Sequence, residues 1–368
     1  MSCLVPAKPP RPSAIGARDD AALTDPEQVD ADWLTARLRE RDVLRAGRVA
    51  SVELERFRAK PYSNLYLVRA CYTHDPDTAP RSFVLKLGKA AATNAAARRR
   101  RKLEHLYYAA IAPGMADPPS PAVYAVAHDP ERGSFHLLMA DLTESHDRPP
   151  RGLPPTLEQA GASIDALAHV HAAWWNDRRA IGGCRRRDAG WTRRKTETAR
   201  AAISELLESH GDRLAPGMRD ALGQVGENYP ALLALADPFT VVHGDAHPWN
   251  ALTPVAGGPA VLVDWEGWSV DAPAGDLAAF IALRFDPDLR RHTEGELLRR
   301  YLTALQARGV RDYHEPDLAR DYRRAVARRV LSPVFAWRRG ADNAAWWNNL
   351  ARITLAYHDL DCGEALRG

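Results

Sequence analysis

Lysine is scarce in this chain. Of 50 basic residues only Lys8, Lys60, Lys86, Lys89, Lys102 and Lys195 are lysines, so a lysine inside an apolar segment stands out against an arginine background. Cysteine is scarcer: Cys3, Cys71, Cys184 and Cys362 lie far apart, which excludes a CxxC-type zinc site and a dense disulfide framework and fits a reducing, cytoplasmic setting. No stretch approaches the ~20 apolar residues of a membrane span, and the N-terminus has no signal-peptide pattern, so a cytoplasmic protein with no membrane partner is expected. Charge of one sign is also missing. With 50 basic against 47 acidic residues the formal net charge is +3, and no global field argues for nucleic acid. The run Arg98 to Lys102 does not change this, because successive helical residues cover every side of a helix instead of making one groove-facing stripe; a mostly solvated segment is expected.

What is present is a globular composition. The 368 residues, 45% of them apolar, allow one large or two moderate domains with a sizeable core. Residues 1–28, rich in proline, read as a flexible leader. Asp30 is a candidate N-cap for a helical stripe of Trp33, Leu34, Leu38 and Leu44. Strand-like runs follow at 49–57, 64–72 and 81–87, then an alanine-rich helix over 91–112 and a strand ending in Ser134 to Leu142. Beyond the proline-rich stretch 148–155, Thr156 caps a helix whose stripe includes Leu157, Gly161, Ile164, His171 and Trp174, with His171 read as a satisfied core histidine. Further helices are predicted at 194–209, 217–235, 294–308, 316–331 and 343–361.

The chemistry concentrates between Val241 and Asp276. Two apolar runs, Phe239 to Val242 and Ala260 to Val263, each deliver a carboxylate at the C-terminal end, Asp245 and Asp264, and Asn250 follows Asp245 by five residues. A carboxylate that orients a hydroxyl, with an amide oxygen and a second carboxylate for a hard cation, is what phosphoryl transfer requires. The plain alternative for the tripeptide His243-Gly244-Asp245 alone is a surface hairpin with polar ends. Lys86 lies in the apolar run Ser82 to Leu87, either as an edge lysine turned to solvent or as a phosphate-binding cation. Asp276 precedes an apolar helix and reads as its N-cap. Trp265, Glu266, Trp268 and Asp271 come soon after Asp264, and exposed aromatic faces beside Glu266 or Asp271 would hold an organic cation or a flat apolar acceptor.

His243-Gly244-Asp245, His247, Asn250 and Asp264 resemble the catalytic loop and metal-binding aspartate of the aminoglycoside phosphotransferase and choline kinase superfamily. The resemblance implies an α+β, two-lobed protein-kinase-like fold: a small antiparallel-sheet N-lobe over 29–140 and a larger, mainly helical C-lobe over 141–368. It implies Asp245 as catalytic base, Asn250 and Asp264 as Mg²⁺ ligands, His243, His247 and Asp276 as loop supports, and Lys86 oriented by Glu104. Main-chain groups near Met139 would meet the purine. The substrates implied are ATP, or GTP, and a hydroxyl of a small-molecule alcohol such as an aminoglycoside or a choline-like compound; the protein is expected as monomer or homodimer. Two departures stand out. Trp249 occupies a place where relatives often have glycine, and the segment Phe57 to Leu65 lacks the glycines of a phosphate-covering loop, so Ser63 and Asn64 would serve instead, a polar turn being the other reading. That absence also motivates an alternative function, a catalytically silent nucleotide-binding or scaffold protein.

Overall fold

A computed structural model describes residues 21–74, 79–90, 92, 94–150, 152–183, 188–234 and 237–366. The chain divides into two compact units: residues up to His146 together with Val263–Gly267, and Asp147–Leu262 together with Trp268 onward. The short segment that carries Asp264 and Glu266 therefore groups with the first unit, far from its sequence neighbours' allegiance.

In the first unit, helix α1 (Ala31–Glu40) starts at Asp30, whose side chain accepts the Trp33 N–H. Strands β1 (Val49–Ala59), β2 (Ser63–Tyr72), β3 (Ser82–Gly88), β4 (Val123–Asp129) and β5 (Ser134–Ala140) form one antiparallel sheet in the order β1-β2-β3-β5-β4. The central strand β3 is buried almost throughout, which is why it reads as a continuous apolar run. Edge strand β1 keeps Glu53, Glu55 and Arg56 exposed, charges that discourage further strand pairing. Leu34 and Leu38 of α1 pack with Val49, Val68, Phe83, Leu85 and Leu138 of the sheet. Helix α2 (Ala95–Leu106) begins later than the alanine pattern predicts, because Asn94 caps it by accepting the Ala97 N–H; a π-turn (Tyr107–Ile111) and a 3₁₀ turn end the segment. A two-residue strand, β6 (His146–Asp147), follows.

The second unit is mainly helical. Helix α3 (Leu157–Ala173) opens on a full capping box between Thr156 and Gln159. It is followed by α4 (Ala189–His210), α5 (Pro216–Leu232), α6 (Ala274–Leu277), α7 (Pro287–Ala307), α8 (Glu315–Arg329), α9 (Leu331–Arg338) and α10 (Asn343–Asp359). Short strands carry the loop of interest. β7 (Thr240–Val242) pairs antiparallel with β10 (Ser269–Asp271), and β8 (Ala251–Pro254) pairs with β9 (Val261–Leu262) across the Gly257-Gly258 turn, so the two apolar runs belong to different ladders. Among the described residues no helix is long and apolar enough to cross a membrane.

The expected leader needs correction over the residues that can be described. Residues 1–20 lie outside them, but Ala22 and Leu23 are buried, Asp25 caps a 3₁₀ turn at Pro26–Gln28, and the Leu23 N–H donates to Nδ1 of buried His136 at 3.0 Å. Burial, with help from the charges of Arg37 and His105, pushes the His136 imidazole down to about 4. The sign follows from linkage. Above the ordinary histidine value of about 6.5 both folded and unfolded states are neutral, and below it the unfolded chain takes up a proton that the fold refuses until about pH 4. Stability is therefore lost as pH falls through that window, at about 1.4 kcal/mol per pH unit. Unfolding free energies from urea titrations near pH 7 and near pH 5 should differ by about 2 kcal/mol less in His136→Gln, which keeps an acceptor for Leu23 but cannot titrate.

Candidate active site

The first unit brings six charged side chains together. Lys86, on the buried strand β3 and 3% exposed, reaches Glu104 of α2 at 2.7 Å, Asp264 at 2.8 Å and Glu266 at 3.4 Å. Lys60, from the turn between β1 and β2, holds the other Asp264 oxygen at 2.7 Å, and Arg100 pairs with Glu266. Burial works against the Lys86 charge, but Glu104, Asp264 and Glu266 outweigh it and raise its pKa above the ordinary lysine value. Burial likewise works against the Asp264 charge, and Lys86 and Lys60 outweigh it, so this carboxyl falls below its usual range. Glu104 goes the other way: burial, reinforced by Asp264 and Glu266 and opposed by Lys86, pushes it up to about 7. Asp264 also has φ at 71°, a left-handed conformation that aspartate tolerates better than most residues. The adjoining Trp265 is fully buried and stacks on Tyr107 with centroids 3.8 Å apart, which fixes the segment.

The glycine-free turn is held from outside. Buried Arg101 donates from Nη2 to the carbonyls of Tyr62 at 3.2 Å and Lys89 at 2.6 Å, and from Nη1 to Gly133. A Cβ on Gly88 would meet Arg101 Nε at 2.8 Å, so glycine is needed at 88 to admit the guanidinium. The run Arg98 to Lys102 is thus not uniformly solvated: Arg101 braces the turn, and Arg100 lies over the Tyr62 ring at 5.4 Å as well as pairing with Glu266. Ser63 is buried and its carbonyl accepts the Lys60 N–H, while Asn64 donates to Tyr66 Oη at 3.4 Å and leaves Oδ1 without a partner. Met139 is a partly buried residue of β5, opposite Val84 and Val123.

In the second unit the loop after β7 is pinned by one buried anion. Asp276 Oδ2 accepts the His243 N–H at 2.6 Å and lies 3.3 Å from His171 Nε2; Oδ1 accepts the Gly244 N–H at 2.9 Å. His171 Nδ1 meets Tyr301 Oη at 2.8 Å, completing a buried chain. Burial alone would raise the Asp276 carboxyl, but His171, His243 and Arg329 outweigh it and hold it below its ordinary value. The N-cap expected of Asp276 is corrected here: it sits within the first turn of α6, and its carboxylate serves the loop after β7. Gly244 has φ at 80°, which lets the chain turn tightly between His243 and Asp245. His243 Nδ1 accepts the Asp245 N–H at 3.3 Å, and Asn250 Nδ2 donates to the Asp245 carbonyl at 3.1 Å, leaving Asn250 Oδ1 as its acceptor end. The Asp245 backbone is fixed on both sides. Its carboxylate is 57% exposed, with His247 Nε2 3.8 Å away and no hydrogen bond to it among the described residues. Burial pushes His247 down to about 4, partly opposed by Asp245.

The residues proposed for the acceptor do not suit a cation. Trp268 is fully buried and offers no face, Asp271 is held by a two-pronged Arg328 pair at 2.7 and 2.9 Å, and Glu266 is engaged by Lys86 and Arg100. Donor chemistry does suit Mg²⁺. In the first unit Asp264 presents carboxylate oxygen within 4.8 Å of oxygens from Glu104 and Glu266, all hard ligands, and the lysines on Asp264 mark where positive charge is stabilised.

A model of the phosphotransferase enzyme family matches residues 58–318. Among solved structures, the chain is similar to the macrolide 2'-phosphotransferase MphH from Brachybacterium faecium, at 17% identity and a TM-score of 0.51, covering 89% of this chain and 98% of that one. The gentamicin-APH(2")-IIa complex gives 15% identity and 0.52, with 90% and 96% covered. The GDP complex of aminoglycoside 2'-phosphotransferase-IIIa gives 13% identity and 0.51, with 84% and 93% covered. At these identities the likeness is one of fold, and it bears out the kinase-like α+β class. Among curated proteins none matches.

Two outcomes follow for these clusters. Asp276→Ala strands two backbone N–H groups in a buried place and should cost at least about 2 kcal/mol in urea unfolding, several times more than Asp165→Ala on the exposed pair with Arg300. Lys60→Ala frees one Asp264 oxygen, so MgCl₂ alone should raise the melting temperature of the variant more than that of the parent.

Proposed function

The chain belongs to the phosphotransferase enzyme family, and from that premise we propose that it moves the γ-phosphoryl group of ATP, or GTP, to a hydroxyl of a small-molecule alcohol. One observation carries the reading: on a loop whose backbone is tied down by Asp276, His243 and Asn250, Asp245 alone holds out an exposed carboxylate without a hydrogen bond among the described residues. That is the state a base must be in before an acceptor arrives.

In the proposed reaction the acceptor oxygen attacks the γ-phosphorus. The bond from that phosphorus to the β,γ-bridging oxygen breaks, the diphosphate leaves with the electron pair, and Asp245 takes the hydroxyl proton as the new ester forms. Lys86, oriented by Glu104, lies against the donor phosphates and offsets their charge. Asp264 and Asn250 would hold Mg²⁺, which when bound neutralises charge on the phosphates. Most of the rate enhancement then comes from positioning and fixed charge, which the buried supports of both clusters supply.

Asp245→Asn should leave nucleotide affinity within about twofold, measured by calorimetry, and reduce kcat by about 10²-fold or more. Asp264→Ala should instead abolish the Mg²⁺-dependent part of nucleotide binding. Unchanged turnover in Asp245→Asn would sink the mechanism, and tight nucleotide binding by the parent with no turnover on a broad alcohol panel would favour the silent nucleotide-binding protein.

A further inference from the structure

In the second unit Asp245 shares its surroundings with the guanidiniums of Arg284 and Arg329. From its carboxylate a line of side chains runs outward: His247 at 3.8 Å, Trp249 with its ring centroid 5.5 Å from that of His247, and the Arg284 guanidinium 5.8 Å from the centre of the Trp249 ring. The Trp249 ring is steadied by its Nε1–H, which donates to the Pro150 carbonyl at 3.3 Å. Arg284 is held from the other side. It ends the buried stretch Ala274 to Leu283 whose first turn contributes Asp276, so one rigid segment both pins the catalytic loop and delivers the guanidinium. Among the described residues Arg284 makes no ion pair, and its Nε is buried without a hydrogen-bond partner.

Other arginines of this unit have ion pairs or carbonyl partners on their terminal nitrogens: Arg328 on Asp271, Arg290 on Glu294 and Asp359, Arg300 on Asp165, and Arg329 on the Gly275 carbonyl. Burial lowers the pKa of Arg284, Asp245 opposes that, and the like charges of Arg329 and Arg352 add to it. A half-buried guanidinium that feels Asp245 only at a distance, without an ion pair to it, has donors to spare for a second anion, and its planar fork matches a carboxylate's two oxygens.

We propose that Arg284 and Trp249 form the acceptor subsite, and that the alcohol phosphorylated by this protein carries a carboxylate held by Arg284, with a flat or apolar body against Trp249. The assignment rests on the phosphotransferase reading and names its substrate class. Of the two acceptors the sequence leaves open, it sets aside the organic cation, because Glu266 and Asp271 are committed elsewhere, and keeps a flat or apolar body. The hydroxyl is delivered toward Asp245, and the charge of the acceptor is read two side chains away.

A matched set of primary alcohols tests this: 4-(hydroxymethyl)benzoate, 4-(hydroxymethyl)benzamide and 4-(hydroxymethyl)benzylamine, each with γ-labelled ATP and Mg²⁺. The acid should have the lowest KM by about tenfold or more. Arg284→Gln should raise that KM by a similar factor while kcat and nucleotide affinity stay near the parent's, and Arg284→Lys should fall between, keeping the charge but losing the fork. Unchanged nucleotide affinity also certifies that the variants fold. Preference for the amine, or a KM for the acid indifferent to Arg284→Gln, overturns the proposal. If none of the three turns over, ligand-observed NMR with benzoate and benzylamine decides. Benzoate binding that disappears in Arg284→Gln upholds the subsite; absent benzoate binding, or binding unaffected by the substitution, overturns it. Failure of the parent to bind any nucleotide would count against the phosphotransferase reading, and the benzoate result would still stand or fall by itself.

Discussion

A single buried ammonium organises the first unit. Lys86 cannot remain charged in a strand 3% exposed unless carboxylates come to it, and Glu104, Asp264 and Glu266 do. Each of those partners carries a piece of the fold: Glu104 sets which face of α2 meets the sheet, and the other two anchor a segment that arrives from far along the chain. Removing the ammonium would leave three carboxylates in mutual repulsion, so the cluster is as much a structural knot as a place for phosphates. The second unit solves the converse problem with one anion. Among the described residues Asp276 makes no lysine or arginine ion pair and is stabilised by two backbone N–H groups and the His171 ring.

The two arrangements differ in what they leave open. In the first unit positive and negative groups balance, so the proposed phosphates and metal would have to exchange partners with the lysines. In the second, charge does not balance: the exposed Asp245 faces a neighbourhood richer in arginine than in carboxylate. The self-neutralised cluster of the first unit should respond to salt less than the surroundings of Asp245, whose carboxylate is open to screening ions.

Much of this was legible in the sequence, for reasons specific to each element. β3 and β7 announce themselves because strands buried on both faces leave no room for polar alternation, and α3 because Thr156 and Gln159 form a capping box four letters long. Asp245, Asn250 and Asp264 were visible as residue types at telling offsets. β4 and α9 escaped notice: Val123–Asp129 is brief, and α9 follows α8 without a breaker between them. Lys60, Arg101 and Arg284 were opaque for a deeper reason. Their roles depend on which distant atoms they meet, Asp264 for the first, three carbonyls for the second and an indole for the third, and nothing local encodes such meetings. The helix pattern points to a cap at Asp276 because helix-start patterns describe the backbone ahead of an aspartate, whereas its partners lie more than thirty positions earlier, on the loop that the resemblance makes it support.

Holding the β1–β2 turn by Arg101 changes where that turn's shape is inherited. A glycine-rich loop stores its conformation in its own residues, so substitutions within it are damaging one by one. Here the conformation is written elsewhere, in the guanidinium on α2 and in the space that Gly88 leaves for it. Apart from Lys60, which pairs with Asp264, the turn's letters are released: Pro61 can drift in sequence with little effect on form, and selection on this loop should fall largely on two positions outside it. A comparison of loop sequences alone would take such drift for loss of function.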